Sequence, residues 1–336
     1  MIPLRNTTIR DVAREAGVSI GTVSKVLNKT GTLALATRKR VIEVAERLQF
    51  RPNTLAKSLH SGLSGSIGLI SNDSFGRFTM PIMEGLEAVL APLGIGVFMC
   101  NATDDPAREM AHVEQLLAKQ VDGIIVTARR SDRRPAAQLT NLGVPVIHVF
   151  AHGDDNGLPL LPDDKGGAIL AIEHLLSIGR SRIAHITGPQ DFEAVGLRGD
   201  GYAQTLAKAG IATIPIRYGQ WTEAYGRAAI TDLYGPGQLN PDALFCGNDQ
   251  IARGAADALR EMGLKIPLDV AIVGFDNWQV MAEAARPPLT SIDMNLAALG
   301  AEAGRCMAAM IKGQPEQGLR LLPCRLVTRA STLGME

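Results

Sequence analysis

The stretch TIRDVAREAGVSIGTVSKVLN, residues 8–28, decides the fold of the N-terminal part of this chain. Its apolar residues recur at helical spacing on both sides of Gly17, which predicts two helices joined by a tight turn. Such a helix-turn-helix needs a small residue at the helix contact, a turn residue that tolerates positive φ, and a β-branched residue that packs the second helix back. Ala13, Gly17 and Val23 supply these at the right offsets.

Capping residues predict where these helices begin. Thr8, with Asp11 three residues later, predicts the start of the first helix, and Ser19 predicts the start of the second. A third helix is expected over about 36–50, but residues 33–36, LALA, offer it no capping side chain. We expect the start of that helix either to fray or to be held by packing.

The charge of the chain is divided between two parts. Residues 1–62 hold 11 Lys+Arg and four acidic residues, a net charge of +7. The whole chain has 34 residues of each sign, so residues 63–336 carry a net charge of −7. A small basic segment on a larger acidic body is typical of a protein that meets nucleic-acid phosphate at one end.

From Ser66 onward, short β-rich runs alternate with helical stretches, which predicts parallel sheets with crossover helices. SIGLI and RIAHIT open two similar halves, and IATIPI, residues 211–216, is one of the later predicted strands. Two doubly wound lobes would place a ligand cleft between them, at the carboxyl ends of the strands.

Polar and aromatic residues follow the predicted strands of both lobes. The polar ones are Asn72, Asp73, Asp163, Arg198, Asn248, Asp249, Asp276 and Asn277, and the aromatic ones are Phe75, Phe78, Phe150, Phe192 and Trp221. Planar rings and paired hydrogen-bonding groups suit a sugar. We expect Arg198 to need a partner from outside the chain. Asp276 and Trp221 have structural alternatives to a ligand-binding role: Asp276 would cap a helix, and Trp221 would belong to the core.

Several other classes of protein are disfavoured by the sequence. No apolar run approaches the roughly 20 residues that span a bilayer, and we expect no secretion signal and a cytoplasmic location. The four cysteines and six histidines show no metal-ligand spacing. Neither opening strand is followed by a Gly-rich nucleotide motif, and no catalytic constellation is present. We therefore expect neither an enzyme nor a cofactor.

The motifs together resemble the lactose-repressor/galactose-repressor (LacI/GalR) family of bacterial transcription regulators. The resemblance begins in residues 8–28 and continues through RPNTLAKSLHSG, VDGIIV, DDKGGAILAIEHLLSIGR, ALFCGNDQIARGA and VAIVGFDN, so it spans nearly the whole chain. It implies an all-α helix-turn-helix domain over 1–50, a hinge helix over 51–62, and an α/β core of two lobes, like a periplasmic binding protein, over 63–336.

The resemblance also assigns DNA-binding residues. Ile20, Gly21 and Lys25 take base-reading positions, Thr22 and Ser24 take phosphate-contact positions, and Leu59 matches a leucine that wedges into the minor groove. Alternatively, an exposed Ile20 or Lys25 does nothing specific, and Leu59 is a buried linker residue. The full predicted set is Ser19, Ile20, Gly21, Thr22, Ser24, Lys25, Asn28, Ala56 and Leu59.

A second set is implied for a small-molecule effector. It comprises Phe78, Phe150, Phe192, Arg198, Trp221, Asn248 and Asp276. Sugar-responsive members of the family match at Arg198, Trp221, Asn248 and Asp276, whereas purine-responsive members have Arg or Thr where this chain has Phe192 and Ala194. A carbohydrate-like effector is therefore expected.

We predict a transcription regulator, most simply a repressor, that binds pseudo-palindromic double-stranded DNA as a homodimer. The main alternative is a solute-binding protein of a sugar transport system, because that class shares the two-lobed fold. A sugar-processing enzyme is a second alternative, which would need acidic residues placed for proton transfer.

Overall fold

A computed structural model provides the structure of the chain. It describes residues 7–28, 30–50, 62–128, 130, 139, 142–153, 157–234, 237 and 239–333. Two compact units are present, Met1–Ser64 and Gly65–Glu336. The predicted hinge helix, with Ala56 and Leu59, lies outside the described residues except for Gly62, so the hinge remains a prediction.

In the described part of the N-terminal unit, three helices are present, α1 (Ile9–Ala16), α2 (Ile20–Leu27) and α3 (Leu35–Arg47). Thr8 and Asp11 form a complete capping box on α1, in which each side chain bonds the other residue's backbone N–H. Gly17 ends α1 at φ 63°, a left-handed conformation that glycine adopts without a Cβ clash. The predicted helix-turn-helix is thus confirmed in its local geometry.

The core of this unit forms where the three helices meet. Val12, Val23 and Val41 are completely buried, and burying a valine contributes about 1.5–3 kcal/mol relative to leaving it exposed. The start of α3 has no side-chain cap, but Leu33 packs against this core. Of the two expectations for that helix start, the structure supports packing.

The larger unit has two lobes, each built on a six-stranded sheet. Lobe 1 has the strand order β2-β1-β3-β4-β5-β11 and is parallel throughout. Its strands are β1 (Ser66–Ser71), β2 (Gly96–Asn101), β3 (Ile124–Thr127), β4 (Val146–Val149), β5 (Pro159–Pro162) and β11 (Arg320–Leu322). Its helices are α4 (Thr79–Leu90), α5 (Pro106–Ala118) and α11 (Leu296–Ile311).

Lobe 2 has the strand order β7-β6-β8-β9-β10-β12, in which only β12 is antiparallel to its neighbour. Its strands are β6 (Ile183–Thr187), β7 (Arg217–Tyr218), β8 (Ala243–Cys246), β9 (Ala271–Phe275), β10 (Thr290–Asp293) and β12 (Arg325–Val327). Its helices are α6 (Asp164–Ser177), α7 (Glu193–Lys208), α8 (Glu223–Leu233), α9 (Asp249–Glu261), α10 (Gln279–Ala282) and α12 (Ala330–Leu333).

One strand prediction is wrong. Residues 211–216, IATIPI, form no strand, and the edge strand β7 begins only at Arg217. The hydroxyl of Tyr202 bonds both the N–H and the C=O of Ile214, so this backbone pairs with a side chain instead of a ladder. Pro215 also has no N–H to donate to a neighbouring strand.

In its described segments, the chain crosses between the lobes at 163, at 294–295 and at 323–324. Because the carboxyl ends of parallel strands from both lobes lie at these crossings, the loops that follow the strands face one another across a cleft. In lobe 1, Gly85 of α4 and Gly300 of α11 let the two helix backbones touch, since a Cβ at either position would overlap a backbone oxygen of the other helix.

Candidate functional site

Helix α2 presents the predicted base-reading residues on its surface. Ser19 caps the helix through a 3.1 Å bond from the N–H of Thr22 to its Oγ, and its hydroxyl lies 3.0 Å from that of Thr22. Val23 and Val26 face inward, which leaves Ile20 45% exposed and Lys25 exposed. The exposed face of α2 therefore offers one apolar side chain, from the first turn, and one cationic side chain, from the last turn, to a partner.

The other predicted contacts on α2 are polar and partly engaged within the helix. The amide of Asn28 donates to Ser24 Oγ at 3.2 Å, and the N–H of Asn28 caps the last turn. The aliphatic part of Lys25 lies beside Gly31, where a Cβ would sit 3.4 Å from Lys25 Cδ. This contact directs the Lys25 stem while its ammonium group stays at the surface.

The cleft of the larger unit contains a cavity of about 370 Å³. Its lining residues are Arg77, Phe78, Arg130, Phe150, Phe192, Ala194, Arg198, Trp221, Asn248, Gln250 and Asp276. All seven residues of the predicted effector set are among them, drawn from both lobes. Ligand binding there remains a prediction, but the side chains do meet in one place.

Aromatic rings form two walls of the cavity. Phe78 and Phe150 stack with ring centroids 4.9 Å apart, and both belong to lobe 1. Phe192 and Trp221 of lobe 2 meet edge to face at 5.7 Å. The indole of Trp221 lies against Gly188, where any Cβ would overlap the ring. Trp221 is partly buried against the lobe 2 core and also lines the cavity, while its role in ligand binding stays a prediction.

Two cavity residues have left-handed backbones. Phe150 has φ 53° and Asp276 has φ 94°, conformations that cost about 1–3 kcal/mol each in residues with a side chain. The N–H of Phe150 bonds Leu160 O and that of Asp276 bonds Ile292 O, both at 2.8 Å. The neighbouring strands thus hold this strained backbone and fix where both side chains enter the cavity.

The expectation that Arg198 needs an external partner is wrong. Its Nε donates to Asp164 at 2.8 Å, and a second nitrogen lies 2.6 Å from the same carboxylate. It also donates to Gly247 O at 2.6 Å and lies over the Phe275 ring at 3.7 Å. Asp164 is separated from Arg198 by 34 residues in sequence and meets it only through the packing of α6 on α7, so sequence proximity did not reveal it.

Asp276 does not cap a helix. The N–H of Trp278 at the start of α10 donates instead to Asp249 at 2.6 Å. Asp276 is bonded to Arg77, and Arg198 lies 3.9 Å away. Burial raises the pKa of Asp276, while the guanidinium groups of Arg77 and Arg198 oppose that shift. The carboxylate is therefore held between two cations at the cavity wall.

Asp249 is a buried acid behind the cavity. Its carboxylate accepts bonds from Ser291 Oγ and Trp278 N, both at 2.6 Å. Burial and the nearby Asp276 raise the pKa of Asp249 to about 8. Asn248, the preceding residue, caps α9 by accepting from Ile251 N at 2.8 Å, which leaves its side-chain N–H donors for the cavity.

The cavity also contains residues that were not predicted from the sequence. Arg77 and Gln250 bond each other at 3.3 Å, and Arg130 lies 3.6 Å over the Phe192 ring. Arg77 and Arg130 follow β1 and β3, so the strand-end criterion applied to Asn72 could have found them. Conversely, Phe75 is 92% exposed and does not line the cavity.

Four of the predicted strand-end groups serve the local backbone or neighbouring side chains. Asp163 caps α6, Asp73 accepts from the N–H groups of Phe78 and Thr79, Asn72 donates to Asp104, and Asn277 accepts from Arg329. Within the described residues, no cluster of three or more His, Cys, Asp or Glu side chains is arranged for a metal ion, and no helix is long and apolar enough to cross a membrane.

A helix-turn-helix unit and a two-lobed α/β core with a ligand-sized cleft define a DNA-binding regulator controlled by a small molecule. Residues 8–53 match the model of bacterial regulatory proteins of the lacI family, and residues 172–332 match the periplasmic binding protein-like domain.

Relatives match along almost the whole chain. The ribose operon repressor of Halalkalibacterium halodurans is 32% identical, covering 98% of each chain. The HTH-type transcriptional repressor PurR of Aliivibrio fischeri is also 32% identical, covering 97% of this chain and 98% of its own. A crystal structure of the lac repressor dimer bound to operator and the anti-inducer ONPF matches with a TM-score of 0.77 and 28% identity, covering 98% of this chain and 100% of the other. This chain belongs to the lacI family of bacterial regulatory proteins.

Proposed function

We propose that this regulator is a repressor whose affinity for operator DNA is set by a carbohydrate-like molecule bound between the two lobes. The observation that carries the proposal is the cavity, in which side chains from both lobes enclose one ligand-sized space. A ligand that touches both lobes changes the equilibrium between their arrangements, and operator affinity is proposed to follow that equilibrium.

DNA recognition is proposed to centre on Lys25 and Ile20. Lys25 places an ammonium group near guanine O6 and N7 in the major groove, and Ile20 places a branched apolar group near a thymine methyl. The Ser19, Thr22, Ser24 and Asn28 side chains, which are partly tied up in helix caps, suit phosphate contacts that position α2. Gly21 lets the helix approach the bases closely.

The effector is proposed to be a sugar, for reasons of surface chemistry. The Phe78–Phe150 and Phe192–Trp221 pairs offer apolar faces for the C–H groups of a pyranose or furanose ring. Arg198, Asn248 and Asp276 offer donors and an acceptor for hydroxyl groups. The relatives named ribose operon repressor and PurR are equally similar to this chain, so overall identity does not choose the ligand. The presence of Phe192 and Ala194 favours a sugar over a purine.

The chain is proposed to act as a homodimer in the cytoplasm, where bacterial operators are reached. Lobe 1 supports the dimer, because edge strand β2 exposes Phe98 at 51% and Met99 at 49%. Exposed apolar groups on a sheet edge favour association. A twofold dimer presents two α2 helices to the two halves of a pseudo-palindrome. The basic N-terminal segment and the family favour this function over sugar transport.

The test begins with selection of DNA sequences by the full-length chain from a random duplex pool. We expect a pseudo-palindromic consensus, which is then used in fluorescence anisotropy with a panel of neutral sugars. At least one sugar should change operator affinity tenfold or more. Selection without any consensus would refute the DNA-reading assignment, and a purine that acts where every sugar fails would refute the ligand class.

A further inference from the structure

Among the described residues, two arginine–carboxylate ion pairs and one histidine–carboxylate contact cross the cleft, and all three have the same polarity. They are Arg77–Asp276, Arg130–Asp191 and His152–Glu193. In each pair the cationic or basic group follows a strand of lobe 1 and the carboxylate follows a strand of lobe 2. Lobe 1 therefore presents basic groups to the cleft, and lobe 2 presents acids to meet them. We call these three pairs the cleft clasp.

Arg77 makes the most extensive of these crossings. It extends from the loop after β1, bonds Asp276 and Gln250, and lies 4.4 Å over the Trp278 ring. Each of these three partners belongs to lobe 2. The side chains of Arg77 and Asp276 are only 14% and 7% exposed, so water screens their attraction much less than that of a surface pair.

The other two pairs lie nearer the solvent. Arg130 lies 3.5 Å from the Asp191 carboxylate and stacks on Phe192, and His152 Nε2 lies 2.8 Å from Glu193. Pairs with this much exposure each contribute little. The buried Arg77 pair should therefore dominate the clasp, while the two outer pairs align the rims of the cleft.

We propose that Arg77 holds the two lobes together in the ligand-free protein by occupying Asp276, so that the effector must take this carboxylate from Arg77. This competition rests on the proposed function, because Asp276 is one of the proposed effector-binding residues. The lobe-holding role itself needs no ligand. Arg77 then sets how strongly the cleft resists opening, and thereby how much of the effector's binding free energy remains to shift the equilibrium between the lobe arrangements.

The test uses the full-length protein without ligand or DNA and measures amide hydrogen exchange by mass spectrometry. In Arg77→Met, peptides covering 72–78, 188–195 and 276–279 should exchange about tenfold to a hundredfold faster, the range expected when a buried charged hydrogen bond is lost. Arg77→Lys keeps the charge and should fall between wild type and Arg77→Met. The control is Arg227→Met, which breaks the Arg227–Glu261 pair within lobe 2 and should leave all three peptides unchanged.

Two results would overturn the proposal. Unchanged exchange at the cleft in Arg77→Met would show that the lobes are held without this residue. If the buried strands β1 and β8 exchanged faster by the same factor as the cleft peptides, the Arg77–Asp276 pair would support the fold as a whole rather than cleft closure. The exchange experiment contains no sugar and no operator, so neither result bears on the proposed function. Conversely, the failure of every sugar in the panel would not bear on the role of the cleft clasp in holding the lobes together.

Discussion

Arg198 is expected to be a determinant of stability as well as a cavity residue. In Arg198→Met, Asp164 loses its guanidinium partner while staying almost completely buried, since the two side chains are 6% and 3% exposed. Removing one partner of a buried ion pair typically costs about 3–5 kcal/mol. Gly247 O loses its bond as well. The thermal unfolding midpoint should fall by roughly 10 °C, because each kcal/mol lowers it by a few degrees in a domain of this size.

The cost should depend on pH in a known direction. Burial raises the pKa of Asp164, and Arg198 opposes that shift. Without Arg198 the pKa rises further, so the folded variant takes up a proton on Asp164 as the pH falls. Protonation relieves the uncompensated charge, and the destabilisation by Arg198→Met should therefore be smaller at pH 5 than at pH 8.

Urea unfolding monitored by tryptophan fluorescence suits this test, because Trp221 and Trp278, the two tryptophans of the chain, both lie in lobe 2. The double variant Asp164→Asn/Arg198→Met removes the buried charge and should recover part of the unfolding free energy lost in Arg198→Met. With the single variants, it gives the coupling free energy of the pair in a double-mutant cycle. Arg227→Met serves as the control. A loss below about 1 kcal/mol for Arg198→Met, or strict additivity in the cycle, would refute the assignment of Asp164 as its structural partner.

Lys25→Ala should weaken binding of the cognate operator by about 1–3 kcal/mol and binding of random DNA much less, as measured by anisotropy titrations. Lys39→Ala removes an exposed charge on α3 and should weaken both equally. Equal losses on both DNAs for Lys25→Ala would make Lys25 a phosphate contact. Thr8→Ala should destabilise the N-terminal unit by about 1 kcal/mol through loss of its cap, measured by hydrogen exchange in α1, and unchanged exchange would contradict the capping box. The pKa of Asp249, raised to about 8, makes its contribution to stability fall as pH rises from about 4 to 8. In Asp249→Asn, the free energy of unfolding from urea titrations should therefore depend less on pH between 6.5 and 8, a range above the one where His185, with its pKa lowered to about 4, contributes. An unchanged pH dependence would contradict this role of Asp249.

The sequence predicted the features that local rules control. The capping box at Thr8, the left-handed Gly17 and the alternation of strands and helices each depend on neighbouring residues, so they can be inferred from the chain alone. The seven predicted effector residues lie in one cavity because strand ends converge in doubly wound sheets. The prediction of which elements exist was therefore sounder than the prediction of which side chains pair.

Long-range partners were missed for a physical reason. Asp164 meets Arg198, and Asp276 meets Arg77 across 199 residues of sequence, only after two lobes and their helices have packed. The false strand at 211–216 has a similar cause, because a tertiary bond from Tyr202 overrides the β propensity of the isoleucines. The resemblance to a family assigned the ligand positions, but it did not show which of those side chains already pair with charged residues of the chain itself.

Control of DNA binding through the cleft is tested by the dissociation constant for selected operator DNA, measured with and without an active neutral sugar in wild type and in Trp221→Ala. Tyr218→Ala, an exposed aromatic on β7 outside the cavity, is the matched control. Operator affinity should change tenfold or more with sugar in wild type and Tyr218→Ala. It should not change in Trp221→Ala, whose sugar-free operator affinity stays near that of wild type. An undiminished sugar response in Trp221→Ala would contradict control through this cleft.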